Sequence, residues 1–317
     1  MQRHTKVLAG LLALSLLGAA CGDDDDDDAA TEDESGGAEV PDGPPISIGA
    51  QDFGESLILS EIYAGALSDG GYNASTTEVG GFRDLLFGAF ESGDVNMAID
   101  YVASELEFLN DGAGQATSDV NTTLAALEPL LEPMDIVAAA PSAAVDTNAF
   151  VITQETSDSL DITTLSDLAE KGADLTLGAP PDCESNGFCI PGLLRVYGVD
   201  FTANFTPLDF GVIPDSLDEG AVDIGVVGST DGRLADESTG WVLLEDDKGM
   251  FAADNVFPIV SQEVVDAYGD DLITLLDEVS GKLTTEDLID MNKRYDVDRE
   301  DADDIAADWL SDNGFGG

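Results

Sequence analysis

Apolar positions follow two rhythms between Ile46 and Leu310, and their alternation outlines the fold. A short, mostly apolar strand at 46–50 ends at Gln51-Asp52-Phe53-Gly54; from Glu55, residues Leu57, Ile58, Ile62 and Ala66 share one helical face until Gly70-Gly71 stops it. Gly80-Gly81 leads into a second helix over 82–91, then a strand at 95–99, helices over 103–109 and 120–131, and a strand at 135–139. Beyond Pro141 and Asp146-Thr147-Asn148, a strand at 149–153 opens another series. It comprises a helix over 165–171, a strand at 175–178, a loop holding Cys183, a helix over 191–197, and strands at 205–208 and 222–227 around a short helix at 214–219. Ser229-Thr230-Asp231 reads as a helix start. A strand at 256–260 then returns from the second series, before helices over 263–268, 271–282, 285–295 and 301–311. Thr284-Thr285-Glu286-Asp287 is a helix-start signal. Two successive α/β series predict two lobes, and a body of about 270 residues is more than one core usually holds.

The first residues have a different grammar. Arg3, His4 and Lys6 form a basic start, residues 7–17 a short apolar core, and small residues lead to Cys21. This order predicts a lipoprotein signal peptide at 1–20 with lipidation at Cys21; an ordinary cleaved secretory signal is the alternative. Residues 22–39 are rich in Asp and Gly and too poor in apolar side chains to fold, so 21–45 reads as an acidic tether. No later stretch approaches the roughly 20 apolar residues of a membrane-spanning helix. The expected location is the outer face of the cell membrane, held by a lipid anchor.

Charge narrows the choice of partners. With 66 acidic residues against 11 lysines and arginines, the formal net charge is −55. Such a surface repels nucleic acid and anionic lipid. It also repels itself unless salt shortens the Debye length, to roughly 3 Å at 1 M, which points to a salt-adapted source. His4 is the single histidine and leaves with the leader, removing the usual base for Ser-His or Cys-His chemistry and the usual ligand of catalytic zinc. We therefore expect no catalytic residues, no metal site and no cofactor. Asp296, Asp298 and Glu300 have the start of an EF-hand loop, but Asp301 stands at the turn glycine and Ala307 at the closing acid. Cys183 and Cys189, in an extracytoplasmic chain, are expected to form a disulfide that shapes one loop.

The run from Ile46 to Tyr63, ISIGAQDFGESLILSEIY, resembles the opening of substrate-binding lipoproteins of osmoprotectant ABC importers, which bind glycine betaine, choline or carnitine. Gly80-Gly81-Phe82-Arg83-Asp84-Leu85 resembles their Gly-Gly-Thr-Arg helix start, and Glu91 to Tyr101 the strand and loop that follow. Ser229 to Arg233 and Leu283 to Asn292 match further landmarks in the same order. The resemblance implies an α/β fold of two lobes, type II-like among periplasmic binding proteins, with two hinge crossings near 147–150 and 254–257. Lobe one would be 46–148 with 254–317, and lobe two 149–253. It implies a monomer that captures a small solute between its lobes for an ABC permease, without catalysis.

A trimethylammonium group donates no hydrogen bonds, so such proteins surround it with aromatic faces. Tyr101 falls on a cage tyrosine of the family. Ala98 and Gly228 stand where relatives have aromatics, Phe82 replaces a threonine, and Asn186 stands where an arginine is common. The expected ligand-binding residues are Tyr101, Phe53, Gln51, Asp52, Phe82, Gly81, Thr147, Asn148, Asn186, Ser229 and Thr230. Ser229 and Thr230 either offer donors to an anionic group or cap a helix. Trp241 is assigned to the core of lobe two. With fewer aromatic walls, another small amine or zwitterion, such as an amino-acid derivative, is the alternative solute.

Overall fold

The computed structural model describes residues 42–236 and 238–316. The leader, Cys21 and most of the expected tether lie outside the described residues.

In chain order the strands are β1 (Ile46–Ala50), β2 (Ala74–Glu78), β3 (Met97–Tyr101), β4 (Ile136–Ala138), β5 (Asn148–Thr153), β6 (Leu177–Ala179), β7 (Phe205–Pro207), β8 (Ile224–Gly228), β9 (Trp241–Leu243) and β10 (Val256–Ser261). They form two sheets of five strands, ordered β2-β1-β3-β10-β4 and β7-β6-β8-β5-β9. In each sheet four strands run in one direction, while the strand arriving from the other half of the chain, β10 or β5, runs antiparallel to its neighbours.

Helices α1 (Gly54–Asp69), α2 (Arg83–Ser92), α3 (Val102–Leu109) and α4 (Val120–Leu131) accompany the first sheet. The second sheet carries α5 (Gln154–Leu160), α6 (Leu165–Lys171), α7 (Ile190–Gly192, continued by a wider turn Leu193–Tyr197) and α8 (Ile213–Asp218). After β10 come α9 (Gln262–Tyr268), α10 (Asp270–Ser280), α11 (Thr285–Asn292, continued by Lys293–Val297) and α12 (Ala302–Asp312). Thr284 and Asp287 cap α11 reciprocally, as their spacing predicted.

Continuous apolar strands are expected where both faces of a sheet are covered, and here the alternation divides them between two cores. On β3 and β10, Met97, Ile99, Val256 and Val260 pack with α1, α10 and α12, whereas Ala98, Phe257 and Ile259 pack with α2 to α4. In the other lobe Phe150, Ile152, Ile224 and Val226 face one core, and Ala149, Val151 and Val227 the opposite one. Phe150, Phe201 and Phe257 are wholly buried, each contributing roughly 2–3 kcal/mol by removal of apolar surface from water.

Two segments, 139–147 and 244–255, connect the sheets. They pair with each other through an antiparallel bridge between Val145 and Asn255, and the Asp146 amide donates to the Asp254 carbonyl at 3.1 Å. Crossing strands tied side by side form a two-stranded hinge.

Some elements differ from expectation. β2, β9 and α5 had no apolar periodicity to reveal them: β2 is the sheet-edge sequence ASTTE and α5 is QETSDSL. No α-helix follows Ser229-Thr230-Asp231; Asp231 caps a single 3-10 turn, Gly232–Ala235, by accepting the Arg233 amide at 2.9 Å. Trp241 lies on the edge strand β9, half-buried, with its indole N–H donating to Asp218 at 2.6 Å, so it borders the core.

Candidate functional site

The C-terminal ends of β1, β3, β6, β7 and β8 face one another across the hinge, the position where open α/β sheets hold ligands. The cleft between them has a volume of about 390 Å³.

Aromatic side chains supply one part of its wall. Phe53, just after β1, lies centrally: its ring centre is 6.4 Å from Phe82, 6.3 Å from Tyr101 and 6.3 Å from Phe210. The first three belong to lobe one and Phe210, in the turn after β7, to lobe two, so the cluster spans the cleft. Tyr295 also lines it, with its ring against Gly54, where a Cβ would meet Tyr295 Cδ1 at 2.4 Å.

Three carboxylates share the lining, Glu55 and Asp254 buried and Asp146 half-buried. Glu55, in the first turn of α1, accepts the Tyr101 hydroxyl at 2.6 Å, the Thr230 hydroxyl at 2.6 Å and the Asn292 amide at 2.5 Å. Burial raises its pKa, opposed by those three donors. The Tyr101 hydroxyl is held protonated by burial and by the Glu55 charge beside it. Asp146, on the first crossing, accepts the Ser229 hydroxyl at 3.0 Å and the Thr230 amide at 3.2 Å; burial, then Glu55, pushes it well above the usual carboxylate range. Asp254, on the second crossing, accepts the Ala103 and Ser104 amides at the N-terminus of α3, at 2.8 and 2.9 Å, and the Ser104 hydroxyl at 2.5 Å. Burial outweighs these donors and Arg83, pushing it up to about 6.

Two arginines of the cleft are held by carboxylates. Arg83 makes a two-pronged bond to the fully buried Asp100, at 3.0 and 2.5 Å. Burial works against the charged guanidinium, and Asp100 outweighs it. Arg233 is likewise bidentate to Asp231, at 2.9 and 2.8 Å, with Asp296 of lobe one at 3.8 Å.

The lobes meet here through Thr230 and Glu55, through Phe53 and Phe210, and through Gly232. A Cβ on Gly232 would sit 2.2 Å from the Lys293 Cα, so only glycine allows that approach.

Of the residues expected from sequence, Gln51, Asp52, Phe53, Phe82, Tyr101, Thr147, Asn148, Asn186 and Thr230 line the cleft. Gly81 and Ser229 stand behind its lining. The Gly81 carbonyl accepts the Asp52 amide at 3.0 Å and steadies the β1 loop. Ser229 bonds to Asp146 and accepts the Thr147 amide at 3.0 Å, tying β8 to the hinge. Neither Ser229 nor Thr230 caps a helix; both hydroxyls serve carboxylates. Gln51 is 3 % exposed, and neither atom of its side-chain amide has a hydrogen-bond partner. Cys183 and Cys189 are bridged and border the cleft beside Asn186. Phe210, Tyr295, Glu55 and Asp254 were not singled out from sequence. Phe210 had a signal, an isolated aromatic just past a parallel strand; the two acids had none among so many carboxylates.

Among the described residues, no group of three histidine, cysteine or carboxylate side chains is arranged to hold a metal ion, and no helix is long and apolar enough to cross a membrane.

A family model described as the substrate binding domain of ABC-type glycine betaine transport systems matches residues 44–312. The chain is 28% identical over 275 residues to a glycine-betaine-binding protein of Pseudomonas aeruginosa, covering 84% of this chain and 86% of that one. It is 25% identical over 274 residues to the carnitine transport binding protein OpuCC of Listeria monocytogenes, covering 85% and 87%. In fold it is similar to the crystal structure of a glycine betaine/carnitine/choline ABC transporter protein, with a TM-score of 0.66, 24% identity, and coverage of 86% of this chain and 99% of that chain.

Proposed function

The chain belongs to the family of substrate-binding domains of ABC-type glycine betaine transport systems, and from that premise we propose that it captures a quaternary-ammonium osmoprotectant in the interlobe cleft and presents it to an ABC importer. The observation carrying this reading is the aromatic cluster of Phe53, Phe82 and Tyr101 facing Phe210 across the cleft. A methylated ammonium pressed among ring faces gains roughly 0.5–2 kcal/mol from each, without any hydrogen bond. Phe210 supplies from lobe two an aromatic face of the kind that Gly228 lacks. Because the cluster draws on both lobes, ligand contact and lobe closure become one event.

In this reading the lobes are 46–148 with 254–317, and 149–253, and a lipid on Cys21 holds the monomer at the outer face of the membrane. The permease then engages a protein confined to its own surface. Isothermal titration of the full chain in molar salt with glycine betaine, choline and carnitine tests the capture step. Saturable binding of at least one, without turnover, is expected; binding of none, alongside binding of an amino-acid derivative, would replace the quaternary ammonium with the alternative small amine or zwitterion. Metabolic labelling with a palmitate analogue, lost in Cys21→Ala, tests the anchor.

A further inference from the structure

Phe188 stands apart from the cores of the lobe that carries it. Its side chain is buried, only 8 % exposed, yet it belongs to neither apolar cluster of the second sheet. It is buried instead with Ala103 at the start of α3 and Ala252 on the second crossing, and Ala116 and Phe251 pack against them. Ala103 and Ala116 belong to lobe one, so an aromatic ring of lobe two sits in the surface of the other lobe. Beside it, a Cβ on Gly112 of lobe one would lie 3.7 Å from the Ser185 carbonyl oxygen of lobe two. Phe188 does not line the cleft, so this contact lies to one side of the solute site.

Both halves of the contact are braced. On lobe one, the buried Glu107 of α3 accepts three consecutive amides, those of Gly114, Gln115 and Ala116, at 2.6, 2.6 and 2.7 Å. The Ala253 amide donates to the Thr117 carbonyl at 3.0 Å, which ties the same loop to the hinge. On lobe two, the Cys183–Cys189 disulfide closes the loop that carries Phe188. Asn186 Oδ1 accepts the Phe188 amide at 2.9 Å, and the Asn148 side-chain amide donates to the Phe188 carbonyl at 3.4 Å. A ring presented on so short a closed loop has little freedom left to lose on docking. Withdrawing it would return the apolar surface of both ring and seat to water.

Resting on the reading of a cleft that closes over a solute, we propose that the disulfide loop 183–189 is a clasp: Phe188 plugs into the alanine seat of lobe one and holds the lobes together, with solute or without. Phe188 is then a positioning residue, acting on closure and not on the solute itself. Phe188→Ala and Phe188→Leu, made in the full chain and studied in molar salt, test it. Without solute, small-angle scattering is expected to give Phe188→Ala a larger radius of gyration than the parent, and Phe188→Leu, which refills the seat, nearly the parent value. Stopped-flow release of glycine betaine, choline or carnitine, whichever the parent binds, is expected to be at least about tenfold faster in Phe188→Ala, with association little changed. Because the ring lies outside both cores of its own lobe, the alanine variant is expected to fold. A Phe188→Ala protein with the parent's radius of gyration and release rate overturns the clasp and leaves solute capture standing. A parent that binds none of the three solutes removes the quaternary-ammonium reading, and the solute-free scattering then decides the clasp alone: an unchanged radius of gyration overturns it.

Discussion

Asp254→Asn should make the protein more stable at neutral pH and worse at holding a cation. The Asp254 carboxyl is 5 % exposed and its pKa is pushed up to about 6, against 3.8 for an ordinary aspartate. A carboxyl raised on folding binds a proton more tightly in the native state, so stability falls as pH rises from about 4 to about 6, and the penalty is complete above that. Two pKa units at about 1.4 kcal/mol each give a penalty of about 3 kcal/mol at pH 7.5. Asparagine removes the charge and can keep every contact. Its Oδ1 accepts the Ala103 and Ser104 amides, and its amide donates to the Ser104 hydroxyl, which otherwise donates to the carboxylate.

Urea unfolding in molar salt suits this test because urea leaves ionic strength unchanged. Glu55, Glu105 and Asp146 are also raised by burial and add their own slopes in the same direction, so the informative quantity is parent minus variant. That difference should be near zero at pH 4, grow through pH 5, and level off at about 3 kcal/mol in favour of the variant above pH 6.5. Arg83 and Asp100 face the same carboxyl and remain in both proteins, so their effects cancel. A variant less stable than the parent at pH 7.5, or a flat difference curve, would refute the argument that burial outweighs the α3 N-terminus and Arg83.

Phe53→Ala should weaken solute binding by more than tenfold, since its ring is the one paired with each of the three others at 6.3–6.4 Å between centres; because it is only half-buried, calorimetric melting should show a far smaller loss than Tyr101→Ala, whose ring is in the core. Replacing Cys183 and Cys189 together by serine should cost roughly 2 kcal/mol, the closure entropy of so short a loop, measured as a lower denaturation midpoint. Dilution from molar salt to about 10 mM should unfold or expand the chain, because the Debye length then reaches roughly 30 Å and the net charge of −55 repels itself; a radius of gyration unchanged in small-angle scattering would contradict this.

The sequence revealed the buried parts of the fold because burial on both faces leaves an apolar signature. β1, β3, β5, β8 and β10 are mostly apolar and buried, and the tail helices repeat at helical spacing. Edge elements left no such trace. β2 and β9 are held by backbone pairing to a neighbour, β1 or β5, so their side chains were free to be polar or few. The wall of the cleft was partly legible for the same topological reason: residues that follow parallel strands, such as Gln51, Phe53 and Tyr101, arrive at the crevice. Tyr295 was read as one turn of a long helix, but α11 widens at Lys293–Val297 and the ring reaches Gly54 in the cleft.

What sequence could not show is which carboxylates stand behind the rings. Glu55 opens α1, where an acid is favourable in any protein; its role comes from Thr230 and Asn292, 175 and 237 residues away. Asp146 and Asp254 look like loop residues, yet the two crossings bring both into the hinge. Three acids withdrawn from water without a salt-bridge partner among the described residues weaken the folded state, and natural proteins commonly accept such a loss where function requires it. Here the compensation would come from the solute. A cation held against Glu55, Asp146 and Asp254 relieves the repulsion among them and favours their ionised forms, so binding should strengthen as pH rises through 6. The same contact joins the lobes, since Glu55 belongs to one and Thr230 to the other. Charge compensation and closure are thus coupled through one carboxylate, and Thr230→Val, which removes the interlobe hydroxyl alone, separates them.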